Sequence, residues 1–241
     1  MKKLFNYFTR TERILWAASV TAITVSFIFA GGSGFLSLAA SLIGVTSLIL
    51  NAKANPLGQA LMVVFSVLYG IISYSFRYYG EMLTYLGMSM PMAFFSLVTW
   101  LRHPFGGKKS EVEIIVLKRR EHAFMWVLTA AVTAVFYFIL KAMGTANLIP
   151  STVSVTTSFA AVYFSARRSP YYAAAYAAND IVLLVLWVAA SVEDNSYISV
   201  VVCFAAFLIN DIYGFLNWRK IAKRQFSVLT SVAGLPEVKE E

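Results

Sequence analysis

Two Asn-Asp dipeptides, Asn179-Asp180 and Asn210-Asp211, stand inside long apolar runs with no Lys or Arg at the same depth. An aspartate surrounded by hydrocarbon costs a few kcal/mol at least, so each must face protein or a water-filled cavity. Its compensation is a cationic ligand, a bound cation or a proton. On a helix advancing about 100° per residue, Tyr172, Tyr176, Asn179, Asp180 and Trp187 fall within about 100° of one another. Around the second pair, Asn210, Tyr213, Gly214 and Asn217 share one face, which Asp211 and Trp218 border. Tyr69, Tyr85, Tyr176, Trp187 and Tyr213 add aromatic surface that suits a flat heteroaromatic cation by stacking and cation–π attraction. Each residue also has a plainer use. Asn serves as hydrogen-bonding glue between membrane helices, Gly214 admits a close neighbour, and Tyr69 and Tyr85 suit core packing. Trp100 and Trp218, beside Arg102 and Arg219, read as interfacial anchors.

The elements that must position these groups are membrane spans. Of 241 residues, 59% are hydrophobic and only 13% charged, and the mean hydropathy is +0.69. A soluble domain carries about 25% charged residues, so the composition predicts an all-α polytopic membrane protein. The net charge of +8 is gathered in turns between apolar runs, which points away from nucleic acid. One cysteine, Cys203, leaves no internal disulfide and no cysteine-rich metal site. His103 and His122 lack metal-ligand spacing, and no phosphate-binding loop or nucleophile–base constellation is present. No cofactor is expected. The enzymatic alternative is an intramembrane site with Asp180 and Asp211 as acid and base.

About eight spans are predicted: 11–30, 35–51, 56–76, 79–101, 123–143, 147–165, 171–192 and 196–218. Residues 1–34 form an N-terminal amphipathic segment and first span, with no cleavable signal. Residues 35–102 form a first three-helix unit, 103–143 a cytoplasmic connector and linker helix, 147–220 a second three-helix unit, and 221–241 a cytoplasmic tail, with the chain expected to fray from Arg219 on. Pro91 falls in mid-membrane and predicts a kink. The connector holds a β-prone stretch, Glu113-Ile114-Ile115-Val116-Leu117. The N-terminus, Lys53, Arg102–Arg120, Arg167/Arg168 and Arg219–Arg224 fall on one side, with single stray charges at Arg77 and Lys141 opposite. The positive-inside rule then makes that side, and both termini, cytoplasmic in a cell membrane.

The two halves also resemble each other. Leu50-Asn51-Ala52-Lys53-Ala54-Asn55-Pro56 matches Phe164-Ser165-Ala166-Arg167-Arg168-Ser169-Pro170, and Trp100 falls where Trp218 does. Spans two to four thus repeat in parallel as spans six to eight, with span five the linker. In parallel-repeat transporters the substrate sits near the midplane, where the repeats meet.

The segment Asn210-Asp211-Ile212-Tyr213-Gly214-Phe215-Leu216-Asn217-Trp218, with Asn179, Tyr79-Gly80-Glu81-Met82-Leu83 and the paired Trp100 and Trp218, resembles the PnuC vitamin transporters, relatives of the SWEET sugar carriers. The likeness runs from about Phe35 to Arg224 and departs from the family's pattern at Phe65, Tyr85 and Met92. It implies a SWEET-like three-one-three architecture plus an N-terminal span, a homotrimer, and uptake of nicotinamide riboside by facilitated diffusion. A separate cytoplasmic kinase would trap the vitamin; thiamine or another vitamin or nucleoside is the alternative substrate. The expected substrate-binding residues are Asn179, Asp180, Trp187, Asn210, Asp211, Tyr213, Tyr176, Tyr69 and Tyr85.

Overall fold

The computed structural model describes residues 7–29, 34–75, 79–145, 147–193 and 195–232. Among them, eight helical segments are long and apolar enough to cross a membrane. They comprise α1 (Arg10–Phe29), α2 (Phe35–Ala52), α3 (Pro56–Ser75), α4 (Tyr79–Thr84) continuing through a π-helical turn (Tyr85–Ser89) into α5 (Met90–Arg102), α6 (Arg119–Ala142), α7 (Leu148–Ala166), α8 (Tyr172–Glu193) and α9 (Ile198–Val232). In hydrocarbon the backbone must satisfy its own hydrogen bonds, so uninterrupted apolar sequence becomes helix. The expected turns at Arg77, at Asp194 and over residues 30–33 lie outside the described residues, as do the extreme N-terminus and residues 233–241.

Six spans close into a ring in the order α2, α3, α4/α5, α7, α8, α9, back to α2. The first span, α1, lies outside against α2 and α9, and α6 packs outside against α7. Each half of the ring contains one tight turn, and the two turns are built alike. In the first, Ala54 N–H donates to Asn51 O (2.8 Å) and Asn55 N–H to Leu50 O (3.1 Å). In the second, Arg168 N–H donates to Ser165 O (3.0 Å) and Ser169 N–H to Phe164 O (2.9 Å). Ala54 and Arg168 both sit at φ 55°, the left-handed conformation that ends a helix abruptly.

Trp100 and Trp218 correct the interfacial reading: both indoles are fully buried. The Trp100 indole N–H donates to Ser165 O (2.8 Å) and that of Trp218 to Asn51 O (2.7 Å). Each half thus ends on a Trp that binds the other half's turn. Their rings lie 5.3 Å apart, and Tyr172 packs 4.5 Å from Trp218, so a dry aromatic cluster fills the end of the bundle that carries the basic loops.

The connector forms no strand ladder beyond a single Pro104–Val112 bridge among the described residues. Its β-prone stretch is extended but spends its hydrogen bonds on the turns: Val112 N–H donates to Ala54 O (2.9 Å) and Ile115 N–H to Arg168 O (3.2 Å). Burial pulls the Arg168 guanidinium below its usual range, and the nearby Glu113 opposes this. The frayed tail is also corrected, because α9 continues past Trp218 to Val232. There the Gln225 amide accepts from Ile114 N–H (2.8 Å) and donates to Val112 O (3.0 Å), and Arg224 pairs with Glu111. A side chain that satisfies the connector backbone gives this stretch of helix a reason to stay folded.

Pro91 acts one turn before itself. Lacking an N–H, it cannot complete the α ladder, and the preceding turn widens so that Met90 N–H bonds Tyr85 O, five residues back. Such a turn redirects side chains, and Tyr85 is the residue at its start.

Candidate functional site

Inside the ring lies a cavity of about 620 Å³. It runs from Asp211 to the α6–α7 junction, where Met143, Gly144 and Asn147 line it, and Tyr197 also lines it. This is the end opposite the basic loops, while the Trp100–Trp218–Tyr172 cluster blocks the other end. Asp180 is eight residues past Tyr172 in α8 and Asp211 seven before Trp218, so at 1.5 Å per residue they sit about 10–12 Å above that cluster.

The wall from α8 and α9 holds Tyr176, Asn179, Asp180, Trp187 and Asp211. Asp180 and Asp211 are only 4% and 3% exposed. The two carboxyls stand close to each other where α8 packs on α9, and Asp180 Oδ2 is left without a hydrogen-bond partner. Beside them the Asn179 side-chain oxygen accepts from three hydroxyls of α7: Ser154 (3.1 Å), Thr157 (2.8 Å) and Ser158 (3.0 Å). The sequence did not single these hydroxyls out, since Ser and Thr in a membrane helix commonly bond back to their own turn. Trp187 packs on Tyr197 with ring centroids 5.3 Å apart.

The opposite wall comes from α3, α4 and the π-helical turn. Tyr69 and Tyr85 lie 4.7 Å apart, centroid to centroid, with Phe65 against both. Ser66, fully buried, lines the cavity with an unpartnered hydroxyl, and Glu81 brings a third carboxyl. Along α3, Gln59, Met62, Ser66 and Ser73 are all buried. Among the described residues that line the cavity there is no Lys, Arg or His.

Asn210 and Tyr213 are corrected. Neither lines the cavity, because α1 covers their face of α9. Asn210 Nδ2 donates to Ser19 Oγ on α1 (2.9 Å) and to Ala206 O (2.7 Å). The Tyr213 hydroxyl donates to Glu12 Oε1 (3.0 Å). Glu12, 1% exposed, also accepts from Lys53 Nζ at 3.0 and 3.2 Å. It forms a reciprocal cap with Thr9 at the start of α1. Asn217 completes the strip by donating to Ala52 O (2.8 Å). The face that looked richest in polar chemistry is a seam, and Asp211, at its border, is the member that reaches the cavity.

Eight spans, six of them ringed around one acid-lined cavity, describe a membrane transporter for a small polar ligand. The family model "Nicotinamide mononucleotide transporter" matches residues 34–220, and the chain belongs to that family. Among curated relatives, it is 25% identical to a nicotinamide riboside transporter PnuC of Neisseria mucosa, over 92% of this chain and 86% of that one. It is 21% identical to another of that name from Haemophilus influenzae, over 79% and 81% of the two chains. Its fold matches a crystal structure of the vitamin B3 transporter PnuC with a TM-score of 0.78 and 23% identity, covering 90% of this chain and 94% of the other. Family membership sets aside the intramembrane enzyme.

Proposed function

We propose that this chain carries nicotinamide riboside across the membrane by facilitated diffusion, with Asn179, Asp180, Asp211, Tyr176, Trp187, Tyr69 and Tyr85 around the ligand. One observation carries the choice. The cavity wall offers Glu81, Asp180 and Asp211 and, among the described residues, no basic side chain. The family's description names a mononucleotide and the relatives' names a riboside; the two ligands differ by a phosphate. A phosphate dianion in this cavity would lose its hydration and meet only carboxyls, whereas a pyridinium cation gains their attraction and the aromatic faces. Ribose hydroxyls suit the unpartnered Asp180 oxygen.

The same asymmetry supports one-way uptake. A product phosphorylated by a separate kinase inside the cell would be refused by the acid-lined cavity, so no ion gradient is needed to retain it. The basic loops support a cell-membrane protein with both termini cytoplasmic. The matched turns and reciprocal Trp bonds support the parallel-repeat reading, and the family likeness supports a homotrimer.

Calorimetry on the purified protein with nicotinamide riboside, nicotinamide mononucleotide, thiamine and riboflavin tests the substrate. Nicotinamide riboside is expected to bind and the mononucleotide not. A hydrogen bond to a charged group contributes about 1.5–3 kcal/mol, so Asp180→Asn or Asp211→Asn should weaken binding about tenfold or more. Wild-type affinity in both variants would make the aspartates structural. Thiamine, also a flat cation, binding tighter than nicotinamide riboside would move the substrate within the same site.

A further inference from the structure

The orientation of one side chain refines that proposal and rests on it. Asn179 is 6% exposed and stands at the cavity wall, yet its carboxamide is held from behind. The Ser154 and Ser158 hydroxyls donate to Asn179 Oδ1 at 3.1 and 3.0 Å. The Thr157 hydroxyl reaches the same oxygen at 2.8 Å, alongside the Val153 and Ser154 carbonyls of its own helix. A carboxamide oxygen has two lone pairs, and α7 occupies them. The other branch of the group, the NH₂, is what Asn179 has left for the cavity.

We infer that Ser154, Thr157 and Ser158 are positioning residues that fix Asn179 as a hydrogen-bond donor, and that this donor reads a neutral carbonyl on the ligand. The neighbouring Asp180 and Asp211 carboxyls complement a positive ring or ligand hydroxyls, so the wall presents an N–H donor next to acidic groups. The matching ligand carries an uncharged carbonyl close to a positive ring, as a carboxamide on a pyridinium nucleoside does. A carboxylate in the same place would still meet the Asn179 donors but would lie beside two aspartates, so the site favours the amide over the acid. A freely rotating Asn would offer its oxygen as readily as its nitrogen and would not discriminate. The three hydroxyls remove that freedom before the ligand arrives.

Two ligands and three proteins test this. Nicotinamide riboside and a pyridinium riboside without the carboxamide are titrated by calorimetry into the wild type, a Ser154→Ala/Ser158→Ala double variant, and Ser158→Thr, which keeps a hydroxyl. Losing one oriented hydrogen bond should lower nicotinamide riboside affinity about three- to tenfold in the double variant. The carbonyl-free ligand should bind double variant and wild type alike, and Ser158→Thr should retain most of the wild-type preference. Equal weakening of both ligands would show a merely structural role and overturn the inference, as would no weakening of either. A wild type that binds neither ligand would overturn the proposed substrate itself.

Discussion

At the scale of single residues, a polar side chain in a membrane helix acquires its meaning from what covers it. Asn210 and Asp211 are adjacent on α9, yet the first bonds Ser19 of α1 and the second reaches the cavity. Tyr213→Phe should therefore lower the thermal unfolding midpoint while leaving the affinity for nicotinamide riboside at its wild-type value. It removes one hydrogen bond to buried Glu12, worth about 1.5–3 kcal/mol. Thermal melts and titrations on the same preparation check it, and a tenfold affinity loss would return Tyr213 to the site. Of the residues the helical wheel grouped on α8, Tyr176, Asn179, Asp180 and Trp187 line the cavity, because one helix's own periodicity decides that grouping, whereas Tyr172, at the helix start, packs in the tryptophan cluster. The wheel could not separate Asn210 from Asp211, because only the placement of α1 does so. Nor did it single out Ser154, Thr157 and Ser158, whose role depends on which neighbouring side chain stands opposite.

Elements were more legible, since hydropathy alone marks where a span begins and ends. What escaped was set by side chains bonding across the fold: Gln225 holding the connector keeps α9 helical beyond the membrane run, and Pro91 is absorbed by a π turn at Tyr85. Close helix approach is another such case. Gly58 faces Asn51 so tightly that a Cβ there would overlap both the Asn51 side chain and its backbone nitrogen. A Cβ at Gly214 would instead stand 3.4 Å from Ala173 Cβ and 3.5 Å from the Tyr172 hydroxyl, ordinary contact distances. Gly58→Ala should thus destabilise the protein by about 1–3 kcal/mol through overpacking, whereas Gly214→Ala should be near neutral or slightly stabilising, a glycine inside a helix being disfavoured. Chemical or thermal unfolding of the two variants separates them, and equal effects would contradict this packing.

At the scale of the whole molecule, the even number of spans returns both ends of the described chain to one face, and the basic loops gather there. Single cysteines at Lys108 and Asn195, in a background with Cys203 replaced, should differ in labelling from outside intact cells: Asn195 reacts and Lys108 does not. Labelling at position 108 alone, or at both, would overturn the orientation. Vesicles should also fill only to equilibrium with nicotinamide riboside, with or without a proton or sodium gradient. Accumulation above the outside level would establish ion coupling.

The crossed tryptophan bonds carry a last consequence. Trp100 grips Ser165 O while Trp218 grips Asn51 O, and the two indoles touch. A rocking of one half against the other about this seam would load both bonds, because each runs from the last helix of one half to the turn of the other. The basic end is thus fastened by a pair of mirrored clasps rather than by a single one.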